Sequence, residues 1–398
     1  MRPSFFDSLN LDGKGVRIGI IDAGFTNADS SFWFKHIFGE NRVVATKDYI
    51  SPEASDFYEP KTKADIHGHN VMGYLAGYND TLQQKIGLAT GAHFYLARTE
   101  NGEKEHLVEE DDWVSAIEWM YEQGVELVNT SLGYSEFDDT SENHVLSDMN
   151  GRTTKITLAA QKAAEKGMMI VVSAGNMGSS KWRYITSPAD ARGVLTVGAT
   201  RKVNKTRIYY SSLGVEFVDY IKPEVATYSD RGTSYSSPAV AGFMACLMQY
   251  DSTLTPIQLK DVITKSSHLY PYGNNYVGYG IPDAKKAIGI IDSTYDPKSF
   301  TWEQTTEKGK VEIIINEKVE NDYVITFHKK SKIIVAKQEA ARVEESKAKS
   351  AHIKATIKPT KTSIKVKRYK DVKYTTVQFG KYVVEVEWQE KPEKEKKK

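Results

Sequence analysis

The sequence predicts an α/β fold, a mostly parallel sheet with helices on both faces, followed by a small β-rich C-terminal domain. Three observations carry this. Short Val/Ile/Leu-rich runs alternate with helical patterns over most of the chain, the pattern of a parallel sheet buried on both sides. From residue 301 onward the segments become Lys-rich and alternate in hydrophobicity, with 24 Lys+Arg against 15 Asp+Glu, whereas the preceding residues carry 29 against 37. A charge shift of this size marks a boundary. Finally, 398 residues with 40% hydrophobic content can bury a sizeable core and more than one domain. The expected division is residues 1–297, 298–390 and a Lys-rich tail at 391–398.

Strands are expected at 16–22, 43–48, 93–98, 125–130, 168–173 and 194–199, each a short apolar run. Helical periodicity places Trp113, Ala116, Ile117 and Met120 on one face of 112–123, and Ile156, Ala159, Ala160 and Ala163 on one face of 154–166. Thr255 before Pro256 reads as an N-cap followed by proline at the first helical position. Beyond residue 298, VEIIIN, YVITFH, KIIVA, SIKVKR and YVVEVEW read as strands. AKQEAARVEESKAKSAH, residues 336–352, is expected as a helix or a long exposed connection, and KPEKEKKK as a solvated, disordered tail.

The chemistry concentrates in four strings. In RGTSYSSPAVAG, residues 231–242, a Gly and a Thr deliver Ser234 onto the first turn of an apolar helix, with Pro238 early in it. Free N–H groups and the helix dipole favour negative charge there, which suits a nucleophile, although serine before a helix also serves as an N-cap. VRIGIIDAG, residues 16–24, is a buried strand ending in Asp22; DIHGHNVMG, residues 65–73, opens a helix with His67; SAGN, residues 173–176, ends a strand at Asn176. Asp22, Ser131 and Asn176 all fall at strand carboxyl ends, the rim where open α/β sheets bind ligands.

These strings, in the order Asp, His, Ser, resemble the subtilisin-like serine peptidases (family S8) over about residues 12 to 292. The resemblance implies a serine endopeptidase acting on polypeptide substrates. Ser234 would be the nucleophile, His67 the general base and Asp22 the residue that orients it, and Asn176 would donate to the oxyanion beside the Ser234 N–H. Ser131, Leu132 and Gly133 would pair with the substrate backbone and form one wall of the specificity pocket, and Ser173, Ala174 and Gly175 the other. Met177, Trp182 and Tyr184 would then favour an apolar or aromatic side chain before the cut. No cofactor is required for this chemistry. The family's calcium loop would correspond to residues 77–91, where Asn79 and Asp80 offer oxygen ligands. The ARTE and NTSLGY strings look most like secreted Bacteroidetes-type members, so an extracytoplasmic or secreted protein is expected, with a cytoplasmic one as the alternative. Two departures stand out: His69 where Thr is usual, expected to have no catalytic role, and Ala23 where Thr or Ser is frequent.

Other classes find less support. No apolar run approaches the roughly 18 to 20 residues of a membrane span, and the N-terminus, which lacks a charged start followed by an apolar core, is expected to carry neither a secretion signal nor a pro-segment. The C-terminal basic surplus lacks the aromatic interleaving of a nucleic-acid surface. Cys246 lies in the apolar helix after Ser234 and reads as a small core residue. The HGH pair, His67 and His69, raises a metal-dependent hydrolase, but no convincing ligand set can be drawn from the nine histidines, and no metal is expected. A catalytically silent binding module on the same fold is the other rival. Oligomeric state is not legible in the sequence.

Overall fold

The structure, a computed structural model, describes residues 1–295, 302–307 and 309–389. The division expected at 297/298 and the tail at 391–398 lie outside the described residues. The first sheet contains β1 (Arg17–Asp22), β2 (Val43–Asp48), β5 (His93–Arg98), β6 (Leu127–Thr130), β7 (Met169–Ser173), β8 (Leu195–Thr200) and β9 (Val225–Tyr228), all parallel in the order β2-β5-β1-β6-β7-β8-β9. A small hairpin, β3 (Tyr78–Asn79) and β4 (Gln84–Lys85), stands outside it. β9, a four-residue strand, was not expected; it is too short to show periodicity.

Helices cover both faces. On one lie α1 (Pro3–Ser8), α2 (Lys35–Phe38), α3 (Ile66–Ala76), α6 (Thr233–Tyr250), α7 (Pro256–Ser266) and α8 (Ala284–Ile291), which share a core with the inward residues of β1, β5 and β7. On the other lie α4 (Val108–Glu122) and α5 (Lys155–Glu165). The residues expected on one face of α4, Trp113, Ala116, Ile117 and Met120, are all buried against the sheet, and α7 starts with the Thr255 cap and Pro256. α6 is buried nearly all round, which explains its apolar composition better than any amphipathic stripe. Cys246 lies inside it, and burial pushes its thiol up to about 12, as suits a core residue.

The second sheet is antiparallel: β10 (Trp302–Glu307), β11 (Lys310–Ile315), β12 (Tyr323–Lys329), β13 (Val335–Glu344), β14 (Lys347–Lys349), β15 (Ile353–Lys358), β16 (Lys361–Lys367), β17 (Tyr374–Phe379) and β18 (Tyr382–Glu387). Residues from both ends of the sheet, such as Ile313, Val366, Val384 and Val386, meet in one core, so the sheet curls on itself. The stretch 336–352 is neither helix nor open connection: it forms most of β13, all of β14 and the turns after them. Its Ala, Glu and Lys content suits a helix, but pairing with β12 on one side and β14 on the other decides its state. β12 is buried on both faces. Val324 points into this core, whereas Ile325 and Phe327 pack with Leu269 and Val277 of the first domain.

Phe243 is fully buried in α6 and meets Phe6 edge-on at 4.9 Å between ring centroids. Phe243→Ala is expected to lower stability by roughly 3–5 kcal/mol, read from denaturant unfolding of an inactivated chain.

Candidate active site

Asp22 ends β1, the third strand of seven, and is fully buried. His67 stands in the first turn of α3, and its Nδ1–H donates to Asp22 Oδ1 at 2.6 Å. Two glycines permit that approach. A Cβ on Gly68 would come to 2.3 Å from the Gly24 carbonyl oxygen, and one on Gly24 to 2.8 Å from the Asp65 Cα. Asp22 Oδ1 also accepts the Ala23 N–H at 2.8 Å, while Oδ2 is buried with no hydrogen-bond partner. The Asp22 charge raises the His67 pKa above its ordinary 6.5, against the opposing effect of burial.

The segment before α3 is held by groups whose role the motifs did not reveal. Asp65 accepts from the Lys61 and Thr62 N–H groups at 2.8 and 3.0 Å and pairs with the buried Arg98 guanidinium at 3.3 Å. Arg98 also donates to the Ala23 carbonyl at 3.0 Å and pairs with Asp48. Arg98 thereby ties the end of β5 to the residues flanking both Asp22 and His67. The signal available in sequence was a charged residue closing an apolar strand, a position that seldom tolerates charge without a partner.

Ser234 is the second residue of α6; the N-cap position belongs to Gly232, so Ser234 is not the cap. Pro238, expected where a missing N–H costs little, is instead the sixth helical residue and deprives the Ser234 carbonyl of its i+4 donor. Ser131 replaces that donor: its Oγ gives a hydrogen bond to the Ser234 carbonyl at 2.9 Å. The Ser234 hydroxyl donates to the Ser131 carbonyl at 3.3 Å and not to His67, although both side chains line one cleft.

Asn176 is anchored through its oxygen. Oδ1 accepts from the Thr233 N–H at 2.9 Å and from its hydroxyl at 3.2 Å, which leaves Nδ2 as the donor end. Thr233 Oγ1 also accepts from the Gly175 N–H at 3.1 Å, and Ser212 Oγ from the Met177 N–H at 3.0 Å. Thr233 lies inside the string around Ser234 and Ser212 outside all four strings, and nothing in the sequence marked either as holding the 175–177 backbone.

The cleft has a volume of about 800 Å³. Asp22 stands behind His67, and Ser234, Asn176, Ser131, Leu132, Gly133, Ser173 and Gly175 all line the space. Ala174 does not. Its side chain is buried in the core on the α4/α5 face, because alternation along the chain end turns it away from its neighbours. Trp182 and Tyr184 likewise pack on that core, so of the expected apolar lining only Met177 reaches the cleft. The wall beyond Leu132 carries Glu103, Glu105 and Asp138, with burial pushing Glu105 up to about 7. The acidic run opening α4 caps its own surroundings: Glu109 accepts from the Asn101 and His106 N–H groups at 2.6 and 3.0 Å.

The side chains that the sequence offered as ion ligands make hydrogen bonds of their own. His69 Nδ1 bonds the Thr26 carbonyl at 2.8 Å and its ring packs edge-on against Phe34, so the HGH imidazoles serve different partners. Asn79 Oδ1 accepts the Leu82 N–H at 3.0 Å within the β3–β4 turn.

The family model for the subtilase family (Peptidase S8) matches residues 13–280. Subtilisin DY of Bacillus licheniformis is 28% identical over 265 residues, 64% of this chain and 84% of the relative. Subtilisin NAT of Bacillus subtilis subsp. natto is 26% identical over 296 residues, 70% of this chain and 67% of the relative. The CspB protease of Clostridium perfringens shares the fold at a TM-score of 0.60 with 14% identity, over 73% of this chain and 97% of that one.

If His67 must be neutral to accept a proton, the acid limb of the kcat/KM profile follows its folded pKa. The limb is expected to have its midpoint above the 6.5 of an ordinary imidazole, with activity present above it and lost as pH falls. Asp22→Asn removes the main cause and is expected to move the limb to lower pH while reducing activity; pH–rate profiles of both chains check this.

Proposed function

Since this chain belongs to the subtilase family and is a serine endopeptidase, we propose that it cleaves polypeptides with Ser234 as nucleophile, His67 as general base and Asp22 as the group that orients His67. The observation that carries the assignment is the 2.6 Å bond from His67 Nδ1 to a fully buried Asp22, in a cleft that Ser234 also lines. That bond fixes the tautomer in which Nε2 has a free lone pair.

The resting serine supports a substrate-coupled activation. A peptide pairing as a strand with residues 131–133 would present an N–H to the Ser131 carbonyl, the group that now holds the Ser234 hydroxyl. Displaced from that carbonyl, the hydroxyl is free to turn to His67 Nε2. Ser234 Oγ then attacks the scissile carbonyl carbon as His67 takes its proton. The oxyanion is met by Asn176 Nδ2 and the Ser234 N–H, which as a helix-start donor has no i−4 partner. His67 returns the proton to the leaving amine, and water repeats the sequence to release the acyl group. No step needs a metal or cofactor.

An extracytoplasmic or secreted site of action, of the Bacteroidetes type, belongs to the same proposal and is supported by the ARTE and NTSLGY strings. Among the described residues no helix is long and apolar enough to cross a membrane. Among those residues nothing favours a silent binding module, or a hydrolase using the HGH pair.

An organofluorophosphonate is expected to label the chain at Ser234 and to leave Ser234→Ala unlabelled; folded protein that resists labelling would sink the proposal. Asn176→Ala is expected to lower kcat about 100 to 1,000-fold with a smaller change in KM, the magnitude for one oxyanion donor, as measured on a peptide substrate.

A further inference from the structure

The nine histidines suggested no ligand set in sequence, yet the curled C-terminal sheet brings two of them to one carboxylate. His328 lies on β12, Glu339 on β13 and His352 immediately before β15. Glu339 pairs in register with Thr326, which puts it diagonal to His328 on the same sheet face. Glu339 Oε2 lies 3.2 Å from His328 Nε2 and 2.7 Å from His352 Nδ1, and the three donor atoms all lie within 4.8 Å of one another.

We propose that His328 Nε2, Glu339 Oε2 and His352 Nδ1 are three ligands of a zinc ion, with a fourth position open to water. Two imidazole nitrogens and one carboxylate oxygen are a donor set that zinc takes at bond lengths of about 2.0–2.2 Å, which in a tetrahedron separates ligand atoms by about 3.3–3.6 Å. The His328–Glu339 separation is already close to that value. His352 must withdraw by less than about 1 Å, and it can, being a quarter exposed at the start of its strand.

The surroundings are those of a ligand set held from behind. His328 is fully buried, and its other nitrogen, Nδ1, lies 3.0 Å from Thr375 Oγ1. Thr375 Oγ1 in turn accepts the Trp388 Nε1–H at 2.8 Å. With Nε2 on a metal, Nδ1 carries the proton and donates to that hydroxyl, which fixes the ring orientation. The Tyr369 ring packs against both imidazoles, at 5.6 and 5.2 Å between centroids. His352 also forms part of the wall of a cavity of about 260 Å³, which supplies a path in for the ion and its water. Lys349, Lys354 and Lys365 around that cavity repel a free cation, so the site relies on coordination bonds and not on long-range attraction. None of the three ligands lines the catalytic cleft.

The test uses the full chain with Ser234→Ala to prevent self-cleavage, stripped with a chelator and titrated calorimetrically with zinc alone. One ion per chain is expected. Cobalt in its place is expected to give the visible absorption of a four-coordinate ion. His352→Ala and Glu339→Gln are expected to abolish binding, with folding verified by circular dichroism. Thr375→Val, which keeps every ligand and removes only the hydroxyl behind His328, is expected to weaken binding about 10 to 100-fold. A folded parent chain that takes up neither ion overturns the proposal and leaves a hydrogen-bonded triad. Zinc binding that survives both ligand substitutions overturns it as well, because the ion then sits elsewhere.

Discussion

The molecule depends on how closely α3 approaches the carboxyl end of β1. Gly68 rests against the Gly24 carbonyl at a separation that admits no side chain, and the Asp22–His67 bond spans the two elements that this contact brings together. A buried ion pair sustains it: Arg98 reaches from the neighbouring β5 to Asp65 before the helix and to the Ala23 carbonyl after the strand. Charges so placed contribute little net stability, but losing one partner leaves the other buried and unpaired, so the pair acts mainly to fix geometry.

A second constraint governs Ser234. Pro238 removes one helical hydrogen bond at the Ser234 carbonyl, and Ser131, at the end of β6, supplies the substitute from another part of the chain. The Ser131 backbone carbonyl meanwhile holds the Ser234 hydroxyl. One residue thus fixes the helix start through its side chain and holds the Ser234 hydroxyl through its backbone. On the far side Thr233 anchors Asn176 by its oxygen and so decides which end of the amide faces the cleft.

The C-terminal sheet is not an independent appendage. Asn275 donates to the Gly214 carbonyl at 3.0 Å and accepts the Val335 N–H at 2.9 Å, joining β13 to the loop that carries Ser212. Ser212 supports Met177, next to Asn176. A continuous run of hydrogen bonds and packed residues therefore connects the second sheet to the segment that carries Asn176. The double burial of β12 follows from this docking, since its outer face, with Phe327, serves as an interface.

The residues by themselves determined much of this protein. Buried apolar runs set five strands of the first sheet, because a strand covered on both faces can be little else, whereas the edge strand β2 has no buried residue; Asp22, His67 and Ser234 with their contexts indicated the chemistry. The C-terminal strands were legible where alternation was clean, as in YVVEVEW, and misread at 336–352, where only pairing overrides helix-forming composition. Tertiary structure alone decided the rest. That Ala174 turns into the core, that Trp182 and Tyr184 miss the cleft, and that Arg98 braces the site follow from packing directions that string order does not carry. The meeting of His328, Glu339 and His352 is of the same kind: their spacing matches no local motif, and only the curl of a sheet brings them into contact.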